Sequence, residues 1–507
     1  MDKIQQVEKK SGVPLEEALD TAGSGLYTWY VVITSGIIGL AAVLNVQGMA
    51  FAMPIAGCEF QLSYTMRGMM SSMGFTGMLV SAQIFGFLAD NFGRKRVMMC
   101  CQITTMVITV LWSLAPNTTA LGIILFLNGF VLTGTFTSTY VYVGEFCPSK
   151  IRSKALLIMT AMMAMSNVYL PAMAWIILPL DIYIPIYGEL VFTSWRLYIL
   201  LKLIPLSIAT LLLSKLPETP KFLYVVGKHE ETLEIIRCMY AVNQKKSKND
   251  FPISSLCLNS DDEIRSKIGA DGNQFIKYFK KMMRDIADLF TKQYIFFTLL
   301  SCFLLFSLVG SCNTLIMWFP DQTSRIMKYY ESNDIFNVTL CDLMEGSKAS
   351  ENSGCNINYD FLSAGILLGI AQVVTCLIVG QWALKINRKI LISVSSFLAA
   401  GVCFLSLFLT SHYLIILCLA TMTVLLFTMF PVITSIVLEL FPTQLRSNAA
   451  SLTMTFARLG STMGGQLLGI LFENHCRTGY FGMISVITAA GFLCMLIPTG
   501  QKKNQKV

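Results

Sequence analysis

Two short patterns in this chain place carboxylates, arginines and glycines where they could hold a helical junction shut. The first is Gly86-Phe-Leu-Ala-Asp90-Asn-Phe-Gly93-Arg94, at the end of an apolar run. Gly86 lets a neighbouring helix approach, and Gly93 permits a tight reversal of the chain. Asp90 can accept from a helix amino terminus or from an arginine such as Arg94. A bond of that kind, made in one conformation only, biases a two-state equilibrium. The second pattern is Glu145-Phe-Cys-Pro-Ser-Lys-Ile-Arg152, again a carboxylate and an arginine at the end of an apolar run. Both recur. Gly380 to Arg388 repeats the first, and Glu439-Leu-Phe-Pro-Thr-Gln-Leu-Arg446 repeats the second, each at the same 294-residue offset (Gly86 to Gly380, Glu145 to Glu439). One offset shared by two unrelated patterns makes the chain two copies of one unit, with the working site expected between them. The second copy carries Leu384 and Asn387 at the positions of Asp90 and Gly93, so only the first can form the full junction.

Six polar residues inside the apolar runs are candidates for contact with a small solute: Asn45, Gln47, Asn128, Asn167, Gln372 and Arg458. An amide buried among apolar helices also serves as hydrogen-bonding glue between them. An arginine is more demanding, because holding it at mid-membrane costs about 2.5–3.5 kcal/mol on insertion scales. Arg458 should therefore face a cavity or an interhelix partner. Asp90, Glu145 and Glu439 lie at run ends, and no Asp or Glu falls inside a run.

The elements that must position these residues are membrane helices. Of 507 residues, 54% are hydrophobic and 13% charged, against roughly 25% charged in soluble chains. The lipid bilayer is thus the expected surrounding, and the formal charge of +8 sits at run ends rather than in a patch suited to nucleic acid. Runs of about 20 residues, long enough to cross a bilayer, fall at 31–54, 68–89, 97–115, 120–145, 153–178 and 195–216. Six more fall at 294–318, 361–381, 390–409, 414–440, 447–472 and 478–498. The resulting organisation is a tail (1–30), a six-helix bundle (31–216), a linker (217–293), a second six-helix bundle (294–498) containing a loop at 319–360, and a short tail (499–507). The fold class is all-α membrane protein, two pseudo-symmetric six-helix bundles, and a monomer is expected. With both termini cytosolic, 30 of the 38 Lys and Arg fall on the cytosolic side, six on the outside and two (Lys202 and Arg458) within spans, as the positive-inside rule favours.

Outside the spans, Pro14 to Thr21 reads as a short amphipathic helix. Thr219 to Asn243 and Gln274 to Lys292 read as surface helices bracing the halves, with a flexible stretch between them. The outer loop carries the sequon Asn337-Val-Thr339, a candidate glycan site. Cys58, Cys341, Cys355 and Cys476 face outward, with Cys341–Cys355 the favoured disulfide and Cys58–Cys476 the second pairing.

The Gly86–Arg94 pattern resembles the loop between the second and third helices of the major facilitator superfamily. Glu145–Arg152 and Glu439–Arg446 resemble that family's loops after the fourth and tenth helices. Pro217-Glu218-Thr-Pro-Lys-Phe-Leu223 is similar to the motif after the sixth helix in its sugar-porter and organic-ion branches. Gly48-Met-Ala-Phe-Ala-Met-Pro54 with Cys58-Glu59, Ser194-Trp-Arg-Leu-Tyr198 and Ala457-Arg458-Leu-Gly460 resemble insect members of the synaptic vesicle glycoprotein 2-like group, related to the organic ion transporters. Two departures stand out: Asn45 occupies a place where that group often has an acidic residue, and the 319–360 loop is much shorter than in the vesicle glycoproteins. The resemblance implies a secondary transporter that moves a small organic solute by alternating access, without catalysis, cofactor or metal. The lack of a carboxylate inside a span favours a facilitator or exchanger over proton coupling. Arg458 favours an anionic or zwitterionic solute, with a sugar as the alternative class. A non-transporting vesicle or receptor-like protein of the same fold is the rival reading. Residence in the plasma membrane or an intracellular vesicle would fit either.

Overall fold

The computed structural model describes residues 12–187, 190–257, 283–284, 286–332, 338–346, 359–382, 387–442 and 445–497. Asn337, Cys355, Leu384 and most of the helix expected at 274–292 lie outside the described residues. Among those described, eleven helices are long and apolar enough to cross a membrane. They are helices because a backbone in lipid must satisfy its own hydrogen bonds. The first half holds Leu26–Glu59, Tyr64–Phe92, Arg94–Ser113, Thr118–Phe146, Ser149–Ile177 and Ser194–Ser214. The second holds Ile295–Tyr330, Phe361–Val379, Arg388–Ser406, His412–Val437 and Cys476–Met495. At the place of the expected eleventh span stands Arg446–Asn474, 29 residues long. It is rich in Ser, Thr and Gly because much of its surface meets the second and seventh spans rather than lipid.

The halves meet where backbones come closest. A Cβ on Gly68 of the second span would lie 2.6 Å from the Gly465 carbonyl oxygen of the eleventh, and one on Gly369 of the eighth span 2.2 Å from that of Asn167 in the fifth. No larger residue fits at these crossings. Below, the end of the bundle that carries Arg94, Glu145, Arg388 and Glu439 is the motif face, and the end that carries Arg67, Asp321 and Cys341 is the loop face.

Several helices are interrupted. The sixth span divides at Lys202 into Ser194–Leu201 and Leu203–Ser214. The seventh contains a π-helical turn, Leu305–Val309, a feature that widens the helix locally. The seventh helix also continues past the boundary read from sequence, as Gly310–Ser332. Pro320 and Asp321 looked like the start of a loop, but Pro320 is accommodated inside the helix. Asp321 and Arg325 are therefore helical residues.

The amphipathic amino-terminal segment forms Leu15–Ala22. The first part of the linker forms two helices, Pro220–Val225 and His229–Gln244, separated at Gly227, whose φ of +88° favours glycine. The bonds that the second makes among the described residues hold it beneath the first half. Asn243 Oδ1 accepts from the Tyr27 and Thr28 amides at 3.0 and 3.4 Å, and its Nδ2 donates to the Gly23 carbonyl at 2.9 Å. Part of the stretch expected to be flexible is ordered as well, with Leu256–Cys257 pairing in parallel with Val13–Pro14.

At the loop face, a two-stranded hairpin (Tyr183–Tyr187 with Leu190–Thr193) joins the fifth and sixth spans. The favoured disulfide is corrected here. Cys341 bonds Cys476, with Cα atoms 5.4 Å apart, so neither Cys341–Cys355 nor Cys58–Cys476 forms. The short helix Leu340–Gly346 folds back over the end of the last span and brings Cys341 to its first residue, a distance in space that loop membership does not reveal. Cys58 is also disulfide-bonded.

Candidate functional site

At the motif face, the second helix ends at Gly93, where φ is +97°. The third helix begins immediately, at Arg94. Arg94 Nη2 bridges Asp90 Oδ1 at 2.7 Å and Glu145 Oε1 at 3.4 Å, and Nη1 donates to the Ala89 carbonyl at 3.0 Å. Of the two roles open to Asp90, it takes the arginine. The helix amino terminus goes instead to Glu218, just after the sixth span. Its carboxylate accepts from the Lys95 amide at 2.9 Å and the Arg96 amide at 3.4 Å. Glu218 thus caps a helix whose own cap residue, Gly93, has no side chain to do it. Gly86 lies half-buried within the second helix, six residues before its end.

Arg152 does not join this cluster. Its guanidinium reaches Glu16 at 3.5 Å on the amino-terminal helix and the Cys147 carbonyl at 3.5 Å. Beside it, Asp20 accepts from both the Ser149 amide (2.9 Å) and hydroxyl (2.7 and 3.0 Å), capping the fifth span from outside. In the second half, Arg388 bridges Glu439, the repeat of the Arg94–Glu145 pair. Asn387, at the position of Gly93, caps its own helix by accepting from the Lys389 amide at 3.2 Å. The repeated arginine–glutamate pair survives although the Asp and Gly of the pattern do not. Arg446 opens the eleventh helix.

The mid-depth polar residues divide into two sets. Asn45 and Asn128 are tied within the first half. Asn45 Nδ2 donates to the Ala41 carbonyl (3.0 Å), its Oδ1 accepts from Thr109 Oγ1 (3.2 Å), and Asn128 Nδ2 donates to the Asn45 carbonyl (3.3 Å). The second set joins the halves. Asn167 Nδ2 donates to Gln372 Oε1 at 2.7 Å, linking the fifth span to the eighth. Arg458 Nη1, on the eleventh helix, donates to the Met78 carbonyl of the second span at 3.3 Å. Three amide atoms of these candidates, Gln47 Oε1, Asn128 Oδ1 and Gln372 Nε2, are buried without a hydrogen-bond partner. Such groups are costly to leave unmatched, and a polar solute could satisfy them.

Two other buried basic residues in the first half, Arg196 and Lys202, are not among the site residues expected from sequence. Arg196 Nη2 meets Glu59 Oε1 at 2.9 Å, and its Nη1 donates to the Ser113 and Ala115 carbonyls at 3.0 and 2.8 Å. Glu59 Oε2 also accepts from Trp195 Nε1 at 2.6 Å. Cys58-Glu59 and Ser194-Trp-Arg, two of the stretches that carried the family resemblance, are therefore halves of one clasp. Lys202 is fully buried where the sixth span breaks, its Nζ 3.5 Å from the centroid of the Trp112 ring and without a hydrogen-bond partner. Its place in the middle of an apolar run was the available signal.

Comparison with known proteins agrees with this architecture. The chain is similar to synaptic vesicle glycoprotein 2B of Homo sapiens, 26% identical over 359 residues, covering 65% of this chain and 51% of that protein. It is also similar to synaptic vesicle glycoprotein 2A of Bos taurus, 26% identical over 332 residues, covering 61% of this chain and 44% of that protein. The matches thus span about half the length of these relatives. Among solved structures, the fold is similar to the partially occluded inward open conformation of the xylose transporter XylE from E. coli. The TM-score is 0.64 at 14% identity, covering 93% of this chain and 100% of that one. The Major Facilitator Superfamily matches residues 35–465. Membrane-length helices in two repeated halves, paired arginine–glutamate junctions and that match over most of its length make this chain a member of the Major Facilitator Superfamily.

Proposed function

We propose that this protein carries a small organic anion or zwitterion across a membrane by rocking its halves about a mid-depth site, as a facilitator or exchanger. The observation that carries this reading is Arg458. Its guanidinium lies between the halves and makes a single hydrogen bond among the described residues, to the Met78 carbonyl. A guanidinium has five N–H donors in a planar fork suited to a carboxylate, so most of its donor capacity is available to a solute. Gln372 and Asn167 bridge the halves through the fifth and eighth spans, and Gln47 lies on the first. These amides would orient the solute beside the charge.

A second reading, a neutral polyhydroxylated solute such as a sugar, is favoured by the three unmatched amide atoms, which suit hydroxyl groups. Thermal stabilisation of the purified protein by a panel of organic anions, zwitterions, cations and sugars separates the two, with Arg458→Gln as the discriminating variant. Anions should stabilise the parent and not the variant. Sugars stabilising both equally would move the site to the amides and remove the anionic assignment.

The arginine–carboxylate junctions at the motif face act as gates in this reading, and the motif face is cytosolic by its lysine and arginine excess. Asp90→Asn should raise cytosolic labelling of engineered cysteines between the halves at normal expression; an unchanged labelling pattern would leave Asp90 no gating role. Tags at residues 250 and 348 should be protected and accessible, respectively, in sealed right-side-out cells. Labelling of both from the same side would contradict the orientation.

A further inference from the structure

The seventh helix carries a carboxylate that the sequence reading placed in a loop, and the structure buries it between the halves. Asp321 is 3% exposed at its side chain. Its Oδ1 meets Arg67 Nη1 of the second span at 2.7 Å, and its Oδ2 meets Arg325 Nε, one turn along its own helix, at 3.0 Å. Arg67 is fixed from its own half by its Nε donating to the Leu62 carbonyl at 3.0 Å, and it packs on the first span at Gly57, where a Cβ would lie 2.9 Å from its Cζ. The guanidinium of Arg325 crosses to the first half as well, its Cζ 4.2 Å from the centroid of the Tyr64 ring. The Tyr64 hydroxyl in turn donates to the Met344 carbonyl of the second half at 3.1 Å. The helix bearing Met344 is tied to the last span by Cys341–Cys476.

We infer that Arg67, Asp321 and Arg325, with Tyr64 beneath them, form the loop-face lock of this carrier, an ion-pair bridge between the halves, whereas the arginine–glutamate junctions at the motif face each lie within one half. Access to a mid-depth site from the loop face requires Tyr64 and Arg67 to part from Asp321 and Arg325. The partition of charge suits a reversible lock. When the halves separate, Asp321 keeps Arg325 on its own helix and is not left as an unpaired carboxylate in a low-dielectric site. Arg67 keeps its backbone acceptor and turns to water. A buried pair with no such fallback would resist opening; this one exchanges one arginine for solvent. Asp321 thereby sets which face is open rather than touching the solute.

This inference rests on the transport reading, and its test separates the two. Nitroxide labels introduced as a non-canonical amino acid at Thr119 and Ser411, exposed positions at the loop face of the two halves, report their separation by pulsed dipolar spectroscopy on purified full-length protein. The parent should give one short distance. Asp321→Asn and, from the other half, Arg67→Gln should each add a longer distance and raise its fraction about tenfold, the change a lost charge-assisted bond makes in a two-state equilibrium. Asp321→Lys, which places three cations together, should lengthen it further. Monodisperse elution of each variant certifies folding, and Arg67→Gln carries the test alone if the Asp321 variants fail it. Lengthening in Asp321→Lys but not in Asp321→Asn or Arg67→Gln would mean that the halves part without this lock, overturning the inference while transport stands. No lengthening in any variant would mean that the loop face does not open, and the inference would fall together with the transport reading.

Discussion

Glu218 was invisible as a structural residue until its distances were known, and it gives a sharp quantitative prediction. The third helix starts directly after Gly93, which cannot cap it, and Glu218 supplies the missing acceptor from the end of the sixth span. Losing a side-chain cap costs about 1–2 kcal/mol. Losing a negative charge beside a helix amino terminus costs about 0.3–1 kcal/mol more. The 2.9 Å bond to the Lys95 amide is well formed and the 3.4 Å approach to Arg96 is marginal, so one cap is counted rather than two. Glu218→Ala should therefore destabilise by about 1.3–3 kcal/mol, roughly tenfold to more than a hundredfold in the local equilibrium at 1.4 kcal/mol per factor of ten. Glu218→Gln keeps an amide oxygen for the Lys95 amide and loses only the charge, so it should fall by about 0.3–1 kcal/mol. Thermal melting in one detergent, with hydrogen exchange at the Lys95 and Arg96 amides, reads both variants. The expected order of stability is parent, then Gln, then Ala, with exchange at Lys95 rising most in Glu218→Ala. Equal melting of Glu218→Ala and the parent, or unchanged exchange at Lys95, would refute the capping role.

Three further outcomes follow from other contacts. Gly93→Ala meets both a φ of +97° and a Cβ placed 2.4 Å from Glu218 Oε2; it should destabilise by at least about 1 kcal/mol, measured as a lower melting temperature, and parental melting would contradict the geometry. Lys202→Met removes a fully buried ammonium that has no hydrogen-bond partner and only the Trp112 ring for company. A cation–π contact contributes about 2 kcal/mol when desolvated, but replacing a buried charge with an apolar residue of similar length is often neutral or stabilising. The variant should melt at or above the parent, and a clear drop would show that the ring contact outweighs the burial. Non-reducing peptide mapping should recover Cys341 linked to Cys476. A Cys341–Cys355 peptide would contradict that pairing.

The legible parts of this protein were those written in linear offsets. The repeat of Arg94, Glu145, Arg388 and Glu439 at one offset is legible, although which arginine meets which glutamate is not. Membrane spans follow from apolar run length, and Leu15–Ala22 from its amphipathic pattern. What stayed hidden depends on three-dimensional neighbours. Cys341 and Cys476 are 135 residues apart, and four outward cysteines allow three pairings with no local signal to choose between them. Asp321 falls within the loop expected at 319–360, yet the helix accommodates Pro320 and runs on to Ser332. The buried carboxylate thereby escaped a survey of span interiors. The depth of Asn45 and Asn128 is legible, but not their partners: Asn45 bonds Ala41 and Thr109, and Asn128 Nδ2 donates to the Asn45 carbonyl, all within one half. Depth in the membrane is readable from sequence, but the direction in which a side chain points at that depth is not.

The central claim is that a solute held at Arg458 between the two halves is moved across the membrane and not merely bound. Reconstitution into liposomes tests it most directly, with uptake measured for whichever radiolabelled organic anion stabilises the purified protein. Uptake should be saturable, accelerated by the same unlabelled anion preloaded inside, and lost in Arg458→Gln although that variant remains folded. Tight, Arg458-dependent binding with no uptake above empty liposomes would contradict it and leave a non-transporting member of the superfamily.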